Sequence, residues 1–206
     1  MKMSCCRTPK IEKIRQALIE LLPSQKDADL ICQASNSWLL VHALSNPMKD
    51  DRMASTFDMK DIPQRQILGI ARSLIYIALC LQQLDPDFDS KKLSFPSPEA
   101  RMEKCITTVA TLITSDDELA CSMDGLECVI LVGLFHMNAG NPRRAWLLFR
   151  RALNIGQLMG IHKIKTTIPG GRAMWCEIMQ ADRYLVCSNT SLHSPQKLRQ
   201  VSRPSF

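Results

Sequence analysis

Apolar residues recur along the first part of the chain at the spacing of one helix face. The N-terminal set begins after Pro9, which suits a first helical position, and is stopped by Pro23. Its members lie three or four residues apart: Ile11, Ile14, Leu18 and Leu21. Ser24 can then cap a second helix that runs towards Leu44, and residues 45–60 read as a loop.

A third helix is predicted from about Pro63 to Leu84. Its inner face is marked by Leu68, Ala71, Ile75, Ala78 and Leu79. Because this apolar stretch also carries Arg72 and ends in two glutamines, it indicates a buried helix rather than a membrane span. Residues 85–97 form a polar, proline-containing connector.

A fourth helix and a short fifth one follow. Ser97 and Pro98 form a cap-and-first-turn signal for the fourth helix. Its apolar stripe is Met102, Cys105, Val109, Leu112 and Ile113. Ser115, with Glu118 three positions later, matches a capping box and predicts the start of the short helix.

Two further helices are predicted to form a tight αα-hairpin. The first runs from about Met123 to Met137, and the second from Arg143 to Met159, with Gly160 after it. In the connection between them, Gly140 can take the left-handed conformation that ends the first helix. Asn141 can then cap the second helix, and Pro142 suits its first turn.

The helix over 143–159 has one basic and one apolar side. Its cations and amides fall within an arc of roughly 140°: Arg143, Arg144, Arg150, Arg151, Asn154 and Gln157. The other side carries Ala145, Trp146, Leu148, Phe149, Ala152, Leu153, Ile155, Gly156 and Met159. Gly156 and Gly160 lie beside the Trp146/Phe149 edge, where we expect a partner backbone to approach closely.

The last predicted helix runs from Arg172 to Tyr184. Residues 188–206 are rich in Ser, Pro, Gln and Arg without a helical or strand period, so we predict a disordered tail, and also a disordered terminus over residues 1–8. The folded region is then 9–187. With no clear strand pattern, the fold class is all-α: an irregular multi-helix array of antiparallel helical hairpins.

The charge is uneven along the chain. The formal net charge is +6, and residues 128–176 hold seven cations and no acid. Such a region can attract nucleic acid or acidic protein, but a solvated helix face is the simpler interpretation.

The nine cysteines have no Cys-x2-Cys spacing, and most lie within apolar helical patterns: Cys32, Cys80, Cys105, Cys128 and Cys176. We interpret them as reduced, packed thiols and expect no metal site.

Residue patterns that carry catalysis are not found in the sequence. It has no phosphate-binding glycine loop, no nucleophile elbow and no His-Glu-x-x-His. The histidines are dispersed, at His42, His136, His162 and His193. The carboxylates Asp116, Asp117 and Glu118 suit helix capping better than metal binding. We therefore expect no catalytic, metal-binding or DNA-binding residues, no cofactor and no enzyme activity.

Three segments together resemble a known family. They are 124–128 (Asp-Gly-Leu-Glu-Cys), 136–163 with its Arg-Arg-Ala-Trp and Leu-Met-Gly-Ile-His, and 175–185 with its Asp-Arg-Tyr-Leu. Jointly they resemble the fungal-specific transcription factor domain, the middle homology region of zinc-cluster transcription factors, over roughly residues 30–185. The resemblance implies an α-helical regulatory region of a nuclear regulator of metabolic or secondary-metabolite genes.

Two departures from that family shape the expectation. The six-cysteine zinc cluster that reads DNA is absent from this sequence, and the polar tail after residue 187 looks foreign to the domain, as in a truncated product or gene model. We therefore expect protein partners or a small-molecule effector, no sequence-specific DNA binding by this chain alone and no membrane association, with a homodimer as an option. A helical-repeat-like interaction scaffold, or an accessory protein or enzyme of a biosynthetic cluster, remains the alternative.

Overall fold

A computed structural model of the chain describes residues 9–35, 58–163 and 165–193, with the side chains of the last helix described as far as Val186. Regular structure in these ranges is helical. The α-helices are α1 (Pro9–Ile19), α2 (Gln25–Ala34), α3 (Ile67–Gln82), α4 (Pro98–Val109), α5 (Asp117–Ala120), α6 (Met123–Asn138), α7 (Pro142–Met159) and α8 (Gly171–His193). Short 3₁₀ turns lie at Ile62–Gln64 and Ser90–Lys92, and a π-helical segment lies at Ala110–Thr114. The predicted all-α class is confirmed in this part of the chain.

Helix α3 lies at the centre of the first core cluster. Its buried positions surround the helix and include Ile70, Leu74, Ile75, Ala78 and Leu79. Side chains of α1, α4 and α6 cover it, among them Leu18, Val109 and Leu131. A helix that is apolar on all sides needs such cover on every side, which explains its central position.

Helix α6 joins the first cluster to a second one. Its Leu131, Val132 and Phe135 pack towards α3, whereas Leu126 and Val129 belong to the cluster formed with α7 and α8. Helix α6 is therefore also buried on several sides. Among the described residues, no helix combines the length and the apolar content that crossing a bilayer requires.

Two glycines let α6 approach its neighbours closely. A Cβ on Gly125 would lie 2.0 Å from the carbonyl oxygen of Leu119, because α6 begins directly against α5. A Cβ on Gly133 would lie 3.1 Å from a ring carbon of Phe149 on α7. The first contact is with backbone, which cannot move aside, so Gly125 is fixed by packing.

The αα-hairpin of α6 and α7 agrees with the prediction. Gly140 has a φ of 72°, and Pro142 occupies the first turn of α7. Asn141 stands at the N-cap position, but its side chain makes no capping hydrogen bond. Gly160 ends α7 in the left-handed conformation, with φ 76°.

Helix α2 begins as predicted and ends early. The Ser24 Oγ accepts a hydrogen bond from the Asp27 backbone N–H at 3.2 Å. The predicted continuation towards Leu44 was wrong from Ser35, which is extended (φ −95°, ψ 139°) and forms an isolated bridge with Leu84. Residues 36–57, which hold the rest of that predicted helix and most of the predicted loop, lie outside the described residues.

Helix α3 starts later than the predicted Pro63. That proline belongs to the 3₁₀ turn, and the next residues, Arg65 and Gln66, are extended. The Arg15 guanidinium donates to the Pro63 carbonyl oxygen at 2.9 Å, and Ile62 is fully buried. A continuous helix would use that carbonyl internally, so contact with α1 favours the break.

The predicted capping box was wrong by one residue. The cap of α5 is Asp116, whose carboxylate accepts from the backbone N–H groups of Glu118 and Leu119. Ser115 still has helical dihedrals, because the π segment carries the preceding helix one residue further, and its N–H bonds to the carbonyl of Ala110. An N-cap needs extended backbone, which Asp116 provides.

Helix α8 is longer than predicted. It continues past Tyr184 to His193, and its last six residues, 188–193, belong to the segment for which the sequence predicts disorder. The residues here are weak helix formers, but the first residue that breaks a helix is Pro195. Residues 1–8 and 194–206, for which disorder was predicted, lie outside the described residues.

Candidate interaction face

Helix α7 divides into a packed side and a solvent side. The packed side is buried in the second core cluster through Ala145, Phe149, Ala152, Leu153, Ile155 and Gly156. Trp146 and Trp175 are partly buried against the same cluster, as predicted for core anchors. Tryptophan contributes a large apolar area there, so this packing fixes the rotation of α7 about its axis.

Gly156 is a close-contact position, but its neighbours are side chains. A Cβ would lie 3.1 Å from Ile161 Cδ1 and 3.2 Å from Trp175 Cε3. The predicted approach of a partner backbone at Gly156 and Gly160 was therefore wrong. Gly156 makes room for the indole of α8, and Gly160 supplies the left-handed turn that ends α7.

We define the outer face of α7 as the seven exposed residues Arg143, Arg144, Leu147, Arg150, Asn154, Gln157 and Leu158. Leu147 is 56% exposed and Leu158 is 81% exposed. They are eleven residues apart, close to three helical turns, so both lie along one line of the helix. Two large apolar side chains are thus exposed to solvent among arginine, asparagine and glutamine side chains.

Arg150, one of the residues of the outer face, binds α7 to α8. Its Nη1 donates to Asp182 Oδ2 at 3.2 Å, and its guanidinium carbon lies 5.8 Å from the centre of the Trp146 ring. Asp182 is only 8% exposed, so the arginine compensates a nearly buried carboxylate. The Arg150 charge is therefore committed to holding α7 against α8.

Arg151 is also engaged within the chain, whereas Arg143 and Arg144 remain available. The Arg151 Nη2 donates to Asp117 Oδ1 on α5 at 2.7 Å. Arg143 and Arg144 are exposed and form no ion pair with any residue in the described ranges. The free cationic character of the outer face is thus concentrated in its first turn, close to Leu147.

The charge of Arg144 also acts on His136 at the end of α6. Burial, and then the positive charge of Arg144, lower the pKa of this histidine below its usual 6.5. His136 is 9% exposed, and its Nδ1 has no hydrogen-bond partner among the described residues. The imidazole is consequently neutral at pH 7 beneath a positively charged surface.

The side chains considered for catalysis are not brought together. His162 is half-buried beside Trp175, with ring centres 5.8 Å apart, His42 lies outside the described residues, and the side chain of His193 is not described. Asp116 caps α5 and accepts from Lys10 Nζ at 2.9 Å. In the described ranges, no three His, Cys, Asp or Glu side chains are grouped as metal ligands.

Three of the six described cysteines, Cys80, Cys105 and Cys128, are buried as small apolar residues. Burial raises the pKa of Cys105 to about 11 and that of Cys128 to about 12, so both remain protonated. Cys176 was predicted within an apolar pattern, but it is exposed, because α8 turns Ile178 rather than Cys176 into the core.

An open groove of about 630 Å³ lies away from α7, between α1 and the π segment. Ile14, Ala17 and Leu112 supply its apolar lining, and Lys10 and Asp116 form an ion pair across it. It offers a shallow surface to a ligand rather than an enclosed chamber.

Leu147 and Leu158 were missed as surface residues by sequence reasoning. The predicted arc of cations and amides on α7 is correct, but Leu147 and Leu158 were not recognised as members of the same exposed side. Their separation of eleven residues, read together with the flanking arginines, was the available signal.

Comparison with curated proteins finds fungal regulators. The chain is 48% identical over 161 residues to transcription factor sdnS of Sordaria araneosa, covering 75% of this chain and 21% of that protein. It is 34% identical over 194 residues to the dehydrocurvularin biosynthesis regulator of Alternaria cinerariae, covering 85% of this chain and 25% of that protein. It is 32% identical over 190 residues to transcription factor eupR of a Phoma species, covering 84% and 41%.

The chain therefore spans between about a fifth and two fifths of the length of these relatives. No family model matches it, and no solved structure matches it. The relatives' names, which describe transcription factors and biosynthesis regulators of fungi, agree with the resemblance seen in the sequence.

Proposed function

We propose that this chain corresponds to part of the helical regulatory region of a nuclear fungal transcription regulator that controls a set of secondary-metabolite genes. It acts through contacts with other proteins and performs no catalysis. The names of the relatives support the regulatory role, and the outer face of α7 supports the mode of action.

The observation that carries the mode of action is the pair of exposed leucines beside free arginines. Leu147 and Leu158 offer apolar anchors along one line, and Arg143 and Arg144 offer unpaired positive charge at one end of it. An amphipathic helix that presents leucines and acidic side chains is complementary to both features. We therefore assign this face to an acidic, leucine-bearing helix of a partner protein.

DNA fits the same face less well. A protein that binds duplex DNA needs several free cations to neutralise phosphates. Arg150 and Arg151 are held by Asp182 and Asp117, which leaves few charges on α7 for this purpose. In this proposal, DNA is read by another part of the regulator or by another protein.

A second copy of this chain is also a weaker candidate occupant. Two outer faces brought together would bury the leucines, but the outer face contains no carboxylate that could pair with Arg143 and Arg144 of the other copy. A dimer of the purified chain that dissociates when Leu147 and Leu158 are replaced by serine would favour the second copy over the acidic helix.

The role in transcription is tested by deleting the gene in the source fungus and sequencing its messenger RNA. We expect altered transcripts of a secondary-metabolite gene set, restored by the wild-type gene. Unchanged transcripts would refute the regulatory role and favour a scaffold or an accessory protein.

The contribution of the outer face is tested by complementing with R143E/R144E. We expect this variant to restore the transcripts poorly, because an acidic helix would be repelled. The matched control is K91E/K92E, the same charge change at two exposed lysines of a 3₁₀ turn. Equal complementation by the two variants would exclude the outer face.

A further inference from the structure

The ends of α2 and α3 meet, and each helix carries a cysteine two residues before its last residue. Ser35 and Leu84, which follow the two helices, form the isolated bridge, and the Asp85 N–H donates to the Ala34 carbonyl oxygen at 3.4 Å. Cys32 lies three residues before Ser35, and Cys80 lies four residues before Leu84. The backbone therefore brings the two cysteines to the same level of the α2–α3 contact.

The side chains are also neighbours. The thiols of Cys32 and Cys80 lie within hydrogen-bonding reach of each other, and this contact, followed by burial, raises the pKa of Cys32 far above its usual value. Cys80 is buried among Ile31, Ile77 and Leu81, whereas Cys32 is half-buried. Cys32 is thus the thiol that a reagent in solution meets first.

We propose that Cys32 and Cys80 form a reversible disulfide that fastens α2 to α3 when the protein meets a low-molecular-weight disulfide such as glutathione disulfide. The inference is independent of the proposed function. The two thiols then have a chemical role in addition to their packing between α2 and α3.

The exchange is balanced in two steps. The Cys32 thiolate attacks one sulfur of glutathione disulfide, so a mixed disulfide forms and one glutathione leaves as a thiolate, which takes up a proton. The Cys80 thiolate then attacks the Cys32 sulfur, forms the protein disulfide and releases the second glutathione. Two protein thiols are oxidised and one glutathione disulfide is reduced to two thiols. Because the contact with Cys80 and burial raise the pKa of Cys32, little of this thiol is ionised at neutral pH, and the exchange is slow.

The crosslink would add a covalent bond at the C-terminal end of α2. Near its N-terminal end, α2 is already held by polar contacts, since Asp27 accepts from the Ser94 N–H at 2.9 Å and Gln25 accepts from the Met59 N–H at 2.8 Å. Joining residues 32 and 80 restricts the unfolded chain, so we expect the oxidised protein to melt about 5–10 °C higher than the reduced protein.

The test oxidises the folded 206-residue chain with glutathione disulfide, alkylates the remaining thiols and maps the disulfides by mass spectrometry. We expect one main intramolecular crosslink, between Cys32 and Cys80, and its loss on treatment with dithiothreitol. The same oxidation in concentrated urea should give a mixture of pairings, because the native contact is then absent.

Variants separate this pair from the other cysteines. C32S and C80S should each abolish the crosslink and the rise in melting temperature, whereas the control C121S, at an exposed cysteine, should retain both. If the buried C80S change prevents folding, C32S alone carries the comparison. Recovery of both cysteines in alkylated form, or a main crosslink between other cysteines, would overturn the proposal.

Discussion

Helices α3 and α7 are similar in length, but they use their surfaces in opposite ways. Helix α3 is buried on every side, and its one guanidinium group, on Arg72, is bound to Glu127 of α6 at 2.8 Å. Helix α7 buries one side, and its outer face, which includes Leu147 and Leu158, is exposed to solvent. The first arrangement builds a core, and the second leaves room for a partner.

Changes in α3 should therefore affect stability, whereas changes on the outer face of α7 should affect binding. Most residues of α3 are buried, so changes there act mainly on folding. On α7 the two effects are separable, because buried and exposed positions lie on opposite sides of the helix.

The largest expected effect is that of Leu74→Ala at the centre of α3. This leucine is fully buried, so the loss of its side chain should lower the free energy of unfolding by about 2–5 kcal/mol. Leu158→Ala on the outer face should change it by less than about 0.5 kcal/mol. Urea unfolding measures both. Equal losses would mean that Leu158 is covered in solution.

A second effect is expected at Gly125, where α6 meets α5. A methyl group would collide with the backbone of Leu119, and we expect Gly125→Ala to cost about 1–3 kcal/mol or more in thermal unfolding. Gly69→Ala is the control, because its added Cβ would lie 3.2 Å from Arg65 Cβ, a far smaller overlap than at Gly125, in a helix that alanine favours. A tolerated alanine at Gly125 would contradict the described contact.

The ion pairs of α7 should differ in strength. Arg150→Ala leaves Asp182 nearly buried without its cation, so we expect a loss of about 1–3 kcal/mol in chemical unfolding. Arg151→Ala removes the pair with Asp117, whose side chain is 86% exposed, and should cost less than about 1 kcal/mol. The reverse order would show that the α7–α8 contact does not depend on Asp182.

The smallest expected effect is a pH dependence that arises from His136. Its folded-state pKa is lowered by burial and by Arg144, so the unfolded chain binds the proton more readily. The stabilisation is present above the usual pKa of 6.5 and is lost as the pH falls below it. Between pH 7.5 and 5.5, the wild type should lose more stability than His136→Gln. Parallel losses would exclude this role for His136.

The helical class, the α6–α7 hairpin and the packed side of α7 were predictable because they depend on local signals. Gly140, Pro142 and the spacing of Ala145, Phe149 and Ala152 determine local geometry and one apolar face. These signals act within one or two turns, so the sequence alone was sufficient.

Several boundaries and partners were not predictable because distant contacts decide them. The break before α3 depends on Arg15 of α1, and the end of α2 depends on Leu84 of a later segment. The commitment of Arg150 and Arg151 to carboxylates on other helices also depends on tertiary packing. For this reason, the sequence located the arginines of α7, but it did not show which of them are free of ion pairs.

The most direct test of the central claim is fluorescence anisotropy at physiological salt with two labelled probes. One is an amphipathic peptide with leucines on one side and acidic residues around them, and the other is a mixed-sequence DNA duplex. We predict that the peptide binds the folded chain more tightly than DNA does. L147S/L158S and R143E/R144E should each weaken peptide binding about tenfold or more. The control K91E/K92E should leave peptide binding unchanged. Tighter binding of DNA, or peptide binding that both α7 variants leave unchanged, would contradict the assignment of this face to an acidic helix.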